Sequence, residues 1–474
     1  MTSNGHTSPL RALANLIVTS VDQLEEAYAA QSVPLPSLDD ISGEVPDLAF
    51  DAEVRQARAV LVSACAQLQA TVQLPTTQIM HTASGHYLSA CINVALRAHT
   101  AEALRPAGDK GLSVEEIAKY SAVNPRKLAR CLRMLATNFI FRELEPNVFA
   151  HNSVSLLLDT GKKAEYVSKQ DPVDWYSDTD GNAAMICWTT GEHYKYAGGI
   201  PDTLLDPETA HSYKPGDAAF SRAVGRGYAS FFEYISRPEG SLSRSVFNSA
   251  MVGTQILEAP DFILHEGLGW DKLPPGSVVV DVGGGVGGQS LKLSRAYPHL
   301  NIVVQDLPAT IYEARYFWNA HNPEAIQDGR VTLQPHNFFD PNPVRGAAVY
   351  FLREISHNWP NKEAIAIHRH VRDAADAQSR IILVNHVIQY GSASPGTSSD
   401  SAKFPSAPYP LLPNFGPANA RAYIMDMVML CQMNAVERTT TEFEVLLREA
   451  GLKIDDVVGD TRNGDLLHLV CSRL

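Results

Sequence analysis

Cysteine is scarce in this chain: six in 474 residues, at positions 65, 91, 131, 187, 431 and 471, with no C-x-x-C pair and no paired histidine. That scatter argues against a zinc site and against a disulfide framework, and leaves each thiol the role of a small buried hydrophobe. Positive charge is also short. Lys and Arg number 39 against 52 Asp and Glu, a formal charge of −13, so a phosphate backbone is repelled on average and nucleic acid is not an expected partner. No window reaches 18 apolar residues without a charge, and the opening MTSNGHTSPLRALANLIVTSVDQ lacks the basic-then-apolar order of a secretory leader. The expectation is a soluble, cytoplasmic protein with no membrane partner.

What is present is ordinary core material. Hydrophobic residues make up 45% and charged residues 19%, which excludes disorder of the whole chain, and the length calls for two or three domains. Residues 1–75 read as a helical extension: two helices around the Pro-bearing VPLPSLDDISGEVPD, the second over Asp51–Ala70 with apolar residues at helical spacing.

Residues 76–160 read as a winged helix. Ser113 and Glu116 form a capping box, and Asn124-Pro125 opens a second helix in which Leu128, Leu132 and Leu135 recur at i, i+4, i+7. Two short β runs around a Pro-Asn turn come next in NFIFRELEPNVFAHNSVSLLL. Arg126, Lys127, Arg130 and Arg133 on the second helix admit a DNA-contacting reading, and a solvated face in an acidic protein is the plainer one. Residues 161–265 are helical in pattern and dense in aromatics, which predicts core with part of a pocket wall.

From 266 to 474 the rhythm changes. VVVDV, NIVVQD, AAVYFL, RIILVNHVI and LLHLVCSRL alternate with helix-like runs, the pattern of a doubly wound, Rossmann-like α/β domain. The stretch 391–422 holds six prolines and is expected to be a mobile surface insertion or lid.

The first of these strands runs into Gly283-Gly284-Gly285-Val286-Gly287-Gly288 and then into a helix. Glycine lets the backbone turn sharply and approach a ligand, while the helix start offers unpaired N–H groups. The second strand ends in Asp306, placed for the hydroxyls of an adenosine ribose. Both the dinucleotide pattern G-x-G-x-x-G and the methyl-donor pattern D-x-G-x-G-x-G are satisfied. Asp281 favours the second, because a carboxylate beside the loop suits a cationic amino-acid moiety and sits badly with a pyrophosphate. Downstream, AAVYFL leads to His357 at the carboxyl edge of the same sheet, where ligands of such folds lie.

The run from VVVDVGGGVGG through Asp306, RVTLQPHNFF, YFLREISHNW, RIILVNHVI and NAVERTTTEFEVLLREAGLKI resembles the S-adenosylmethionine-dependent O-methyltransferases of plant and fungal secondary metabolism, the caffeate- and flavonoid-type family. The likeness spans residues 80–160 and 215–474. It implies a Rossmann-like methyltransferase domain preceded by a mostly helical, winged-helix-like dimerisation domain. It also implies S-adenosylmethionine as cofactor, no metal, a homodimer and a small hydroxylated acceptor. Matched by position, His357 is the family's general base and Glu437 the carboxylate that orients it. Gly283, Gly285 and Asp306 are donor-binding positions, flanked by Asp281, Leu307 and Arg353, and Phe338 is an adenine-contacting position. Asn385, Asn337 and Asn358 stand where the family usually carries acids. Trp188, Phe231, Met251, Met425 and Met429 are the candidate acceptor-pocket residues, with plain core packing as the alternative for each.

A hydroxyl is a poor nucleophile at neutral pH, and a phenol ionises only near 10. A neutral imidazole that takes the proton as the oxygen attacks contributes roughly a hundred- to ten-thousand-fold. Asn385 removes one of two expected carboxylate neighbours, which predicts a lower histidine pKa than in a two-carboxylate site. The expected activity is O-methylation of a phenol or N-hydroxy group on an aromatic polyketide or alkaloid. The alternative is a same-fold enzyme that keeps the sulfonium as an electrostatic element and catalyses dehydration or a pericyclic rearrangement.

Overall fold

Two capped helices begin the chain in the computed structural model, which describes residues 7–254, 262–392, 406–459, 462 and 464–474. The helices are Pro9–Ala30 and Ala52–Val72. Ser8 accepts a hydrogen bond from the Arg11 N–H, and Asp51 accepts from Glu53 and Val54, so donors that a helix start leaves open are satisfied. Contacts divide the chain into two units, Met1–Glu258 and Ala259–Leu474.

In the first unit, strands β1 (Leu112–Ser113), β2 (Arg142–Glu145) and β3 (Val148–Ala150) form an antiparallel sheet in the order β1-β3-β2. They accompany the helices Val114–Ile117 and Pro125–Thr137, capped by Ser113 and Asn124. Leu128, Leu132 and Leu135 are fully buried. Arg133 is paired with Glu143 at 2.7 Å, while Arg126, Lys127 and Arg130 point to solvent. Further on, Trp188 meets Phe231 at 5.6 Å, Phe247 at 5.5 Å and Tyr196 at 6.4 Å between ring centroids, all edge to face.

The second unit is built on seven strands: β4 (Val278–Val282), β5 (Asn301–Asp306), β6 (Val331–Pro335), β7 (Val349–Arg353), β8 (Arg380–His386), β9 (Leu452–Val458) and β10 (Leu466–Arg473). Their spatial order is β6-β5-β4-β7-β8-β10-β9. The first five pair in parallel, and β10 runs antiparallel to both β8 and β9. Residues alternate across the sheet as a pleat requires. Val280, Val282, Tyr350, Leu352 and Leu383 pack on one side with Ile367, Val371, Phe443 and Leu447. Val279, Ile302, Val304, Phe351 and Ile382 pack on the other with Trp270 and Trp318. The chain leaves β4 toward β5 on one side and reaches β7 on the other, so the order reverses at β4 and opens a crevice at the carboxyl ends.

Two readings are corrected, the strand set and the stretch 391–422. Strands β6 and β9 are absent from the sequence reading because both lie at sheet edges, where half the positions face water and the apolar run is broken. The doubly wound α/β domain is as expected, its seven-stranded sheet being mixed because the last strand returns antiparallel. Of the stretch 391–422, residues 393–405 lie outside the described residues. The remainder, from 406 onward, is packed: Leu411, Phe415 and Asn419 are buried, and Pro417 fits the first turn of the 3₁₀ segment Gly416–Asn419, which leads into the helix Ala420–Met433. Among the described residues no helix is long and apolar enough to cross a membrane, and no group of three or more His, Cys, Asp or Glu could hold a metal ion.

Candidate active site

The glycine turn is shaped by its neighbours. Gly283, Gly285 and Gly287 all have positive φ, at +70°, +60° and +91°, a region costly for residues with a Cβ. A Cβ on Gly283 would lie 2.6 Å from Ile355 Cδ1, one on Gly284 2.5 Å from Asp281 Cγ, and one on Gly287 2.6 Å from Trp318 Nε1. At Gly285 the same atom meets nothing within 4 Å, so one face of the loop is a cradle that a side chain would fill. The Gly285 N–H donates to Asp306 Oδ2 at 2.9 Å, and the Leu307 N–H donates to Oδ1 at 2.7 Å. Phe338 borders Gly283, 3.5 Å from where its Cβ would be, and meets Trp359 edge to face. An open glycine cradle, a carboxylate at its rim and an aromatic wall fit an adenosine-bearing ligand.

Asp281 is buried beneath this turn. Its Oδ2 accepts from the Ser290 hydroxyl at 2.6 Å, and burial, with help from the Asp306 charge, pushes its carboxyl up to about 6 against the opposing pull of Ser290 and Arg353. It props the loop from the helix side. Leu307 is exposed, and Asn337 folds back to accept from the Phe339 N–H at 3.1 Å. Arg353 is paired with its neighbour Glu354 at 2.9 Å.

Beyond β7 the chain makes a short 3₁₀ turn, Ser356–Asn358, which carries His357. Its Nδ1 lies 2.6 Å from Glu437 Oε1, and both side chains are buried, Glu437 completely. A proton on Nδ1 donated to that carboxylate leaves the Nε2 lone pair able to accept a proton. Burial alone would push the imidazole pKa down. The Glu437 charge, its hydrogen bond and the further charge of Glu354 outweigh it, so the pKa is raised above 6.5. Glu437 is held in turn by its N–H, which donates to Asp426 Oδ1 at 2.9 Å. Asn385 on β8 is fully buried, with neither side-chain polar atom hydrogen-bonded. Glu354 has φ +53°, an unusual conformation for a residue with a Cβ. Its carboxyl is held down to about 2, burial being overcome by Arg353, His357, His386 and Arg421.

Met425 and Met429 sit one turn apart on the helix that also carries Asp426, half-buried and buried respectively. Trp188 and Phe231 are core residues of the first unit, and Met251 of that unit is 40% exposed. A cavity of about 500 Å³ in the first unit, around Gly216, Arg222 and Tyr228, holds none of the predicted residues. Sequence reasoning missed Ser356, the first residue of the His357 turn, and Arg438 and Asn361, which lie against it. The one sequence signal for Arg438 is its place directly after Glu437, before the capping box Thr439–Glu442.

Comparison with known proteins gives a consistent result. A family profile described as an O-methyltransferase domain matches residues 208–403. An O-methyltransferase of Armillaria gallica is 36% identical over 455 residues, covering 95% of this chain and 96% of that protein. The 4-O-methyltransferase 1 of Phanerochaete chrysosporium is 34% identical over 458 residues, covering 94% and 95%. Among solved structures, LepI in complex with S-adenosylmethionine superposes with a TM-score of 0.66 at 20% identity, covering 97% of this chain and all of that one, a likeness of fold.

Proposed function

The chain belongs to the S-adenosylmethionine-dependent O-methyltransferases of secondary metabolism, and from that premise we propose that it methylates a phenolic or N-hydroxy oxygen of an aromatic polyketide or alkaloid, with His357 as general base. The observation that carries this reading is the buried 2.6 Å contact between His357 Nδ1 and Glu437 Oε1 at the carboxyl edge of the sheet.

S-adenosylmethionine supplies, when bound, a methyl group on a positively charged sulfur. The open face at Gly285, the rim carboxylate of Asp306 and the ring of Phe338 are the residues that would hold it. His357 Nε2 takes the proton of the acceptor hydroxyl, which then attacks as the better nucleophile. Glu437 fixes the tautomer and stabilises the imidazolium, the part a third member plays in a nucleophile-activating triad. Asn385, a buried residue whose side-chain donor and acceptor have no partner, offers hydrogen bonds and adds no charge of its own, so the negative charges acting on His357 are those of Glu437 and Glu354. Met425 and Met429 offer soft, adaptable walls for a flat ring system. The helical first unit fits a homodimer, as the family resemblance implies.

Incubation with S-adenosylmethionine and a panel of hydroxylated aromatics, followed by mass spectrometry, tests this. The expected product is one methyl group heavier than its acceptor, with S-adenosylhomocysteine formed in equal amount. A product of unchanged methyl count, with the cofactor recovered intact, would instead indicate dehydration or rearrangement.

A further inference from the structure

His357 stands on a three-residue turn, an element too short to fix its own geometry. Its ring is aligned by Glu437, but nothing in that contact holds the backbone from which the ring projects. The residue next to Glu437 does. Arg438 is 1% exposed, and its guanidinium spreads over both ends of the turn: Nη1 donates to the Ser356 carbonyl at 2.9 Å and Nη2 to the Trp359 carbonyl at 2.8 Å. Its Nε and Nη2 also donate to Asn361 Oδ1, at 3.0 and 2.9 Å, at the start of the helix Asn361–Ala374. The Arg438 backbone is itself fixed, pairing with Val387 beyond β8 and accepting from the Ile388 N–H at 3.2 Å.

Resting on the reading of His357 as the base, we propose that Arg438 is a positioning residue that sets the place and tautomer of that imidazole by strapping the backbone on either side of it. One dipeptide then holds the base twice, Glu437 by the ring and Arg438 by the main chain. The chemistry requires arginine. Three acceptors in three directions need a rigid planar fork with donors on every nitrogen, whereas a lysine ammonium concentrates its donors at one point. Burial lowers the guanidinium pKa to about 10, with Glu437 and Glu442 opposing, so it keeps its charge at neutral pH. Displacement of the base by about 1 Å costs as much as a hundredfold in rate.

The test is histidine-selective NMR of the full-length protein saturated with S-adenosylhomocysteine, with the His357 signal assigned by its loss in His357→Gln. Arg438→Lys keeps the charge and removes the fork. In this variant the His357 pKa is expected to fall by about one unit, as the Glu437 contact loosens and burial is less opposed, and the Nδ1–H tautomer to lose its dominance. An unmoved pKa and tautomer would overturn the proposal. A role through charge alone gives a different pattern, with Arg438→Lys unchanged and Arg438→Gln raised. If Arg438→Lys loses its cooperative melting transition, Asn361→Ala, which deletes one arm of the strap, is read by the same criteria: a smaller fall supports, no fall overturns. Failure of the base reading is separate. Full methyl transfer by His357→Ala would remove that reading whatever the NMR result.

Discussion

His357 and Glu437 are eighty positions apart in the chain and 2.6 Å apart in the fold, and their coupling makes a definite pH prediction. A general base at His357 would work only as the neutral imidazole, so activity is expected to rise with pH through the His357 pKa. That pKa is raised by Glu437 against the effect of burial, which places the acid limb of kcat/KM above pH 6.5. In Glu437→Gln the charge is gone and burial is less opposed, so the midpoint moves to lower pH while kcat falls. A pH–rate profile checks both, and a midpoint that stays or rises contradicts the pairing. The glycines divide similarly. Gly283→Ala pushes a methyl onto Ile355 at positive φ and is expected to lower stability by about 1–3 kcal/mol in denaturant melts. Gly285→Ala meets no protein atom, so it is expected to weaken S-adenosylmethionine binding by calorimetry more than its modest backbone cost weakens the fold. Equal donor affinity in Gly285→Ala and the native protein would contradict the cradle. Both glycines were readable because a Gly-rich strand-to-helix turn is a local pattern. Arg438 was not, because its partners are two main-chain carbonyls and an asparagine some eighty residues away, which only folding brings together.

Elements with strong local signals were legible, and those whose signal is shared with neighbours were not. The helix Pro125–Thr137 announces itself through Asn124, Pro125 and three fully buried leucines. The parallel strands β4, β5, β7 and β8 are apolar because they are covered on both faces. The edge strand β9 carries Asp455 and Asp456 in LKIDDVV and takes its conformation from pairing with β10, information no short window contains. The helix Thr440–Ala450 begins directly after Glu437 and Arg438 with a full capping box, Thr439 accepting from the Glu442 N–H at 3.2 Å and Glu442 reaching back to the Thr439 N–H at 2.8 Å. Thr439→Ala is expected to cost about 1 kcal/mol in chemical denaturation, and an unchanged unfolding midpoint would show that packing of Phe443 and Leu447 alone holds this end.

For the molecule as a whole, the sequence pattern sets an α/β region from 266 onward apart from the helical one that precedes it, and contacts divide the structure into two units, Met1–Glu258 and Ala259–Leu474. The acceptor is the least legible part. Trp188 and Phe231 serve as aromatic core in the first unit, and a stripe of aromatics reads the same whether it lines a pocket or fills a core. Donor selection is a property of the entire fold and is testable without knowing the acceptor. S-adenosylmethionine at a hundred times its dissociation constant should stabilise the native state by about 2.7 kcal/mol, seen as a raised melting temperature, whereas NAD should leave it unmoved. A stronger shift with NAD would reverse the assignment of the glycine turn.

The central claim, that His357 removes the acceptor proton, is tested most directly by methyl transfer in His357→Ala with acceptor and S-adenosylmethionine both saturating. Turnover is expected to fall by about a hundredfold or more, with donor affinity retained, because the glycine cradle is built from other residues. Turnover within a few-fold of the native enzyme would contradict it.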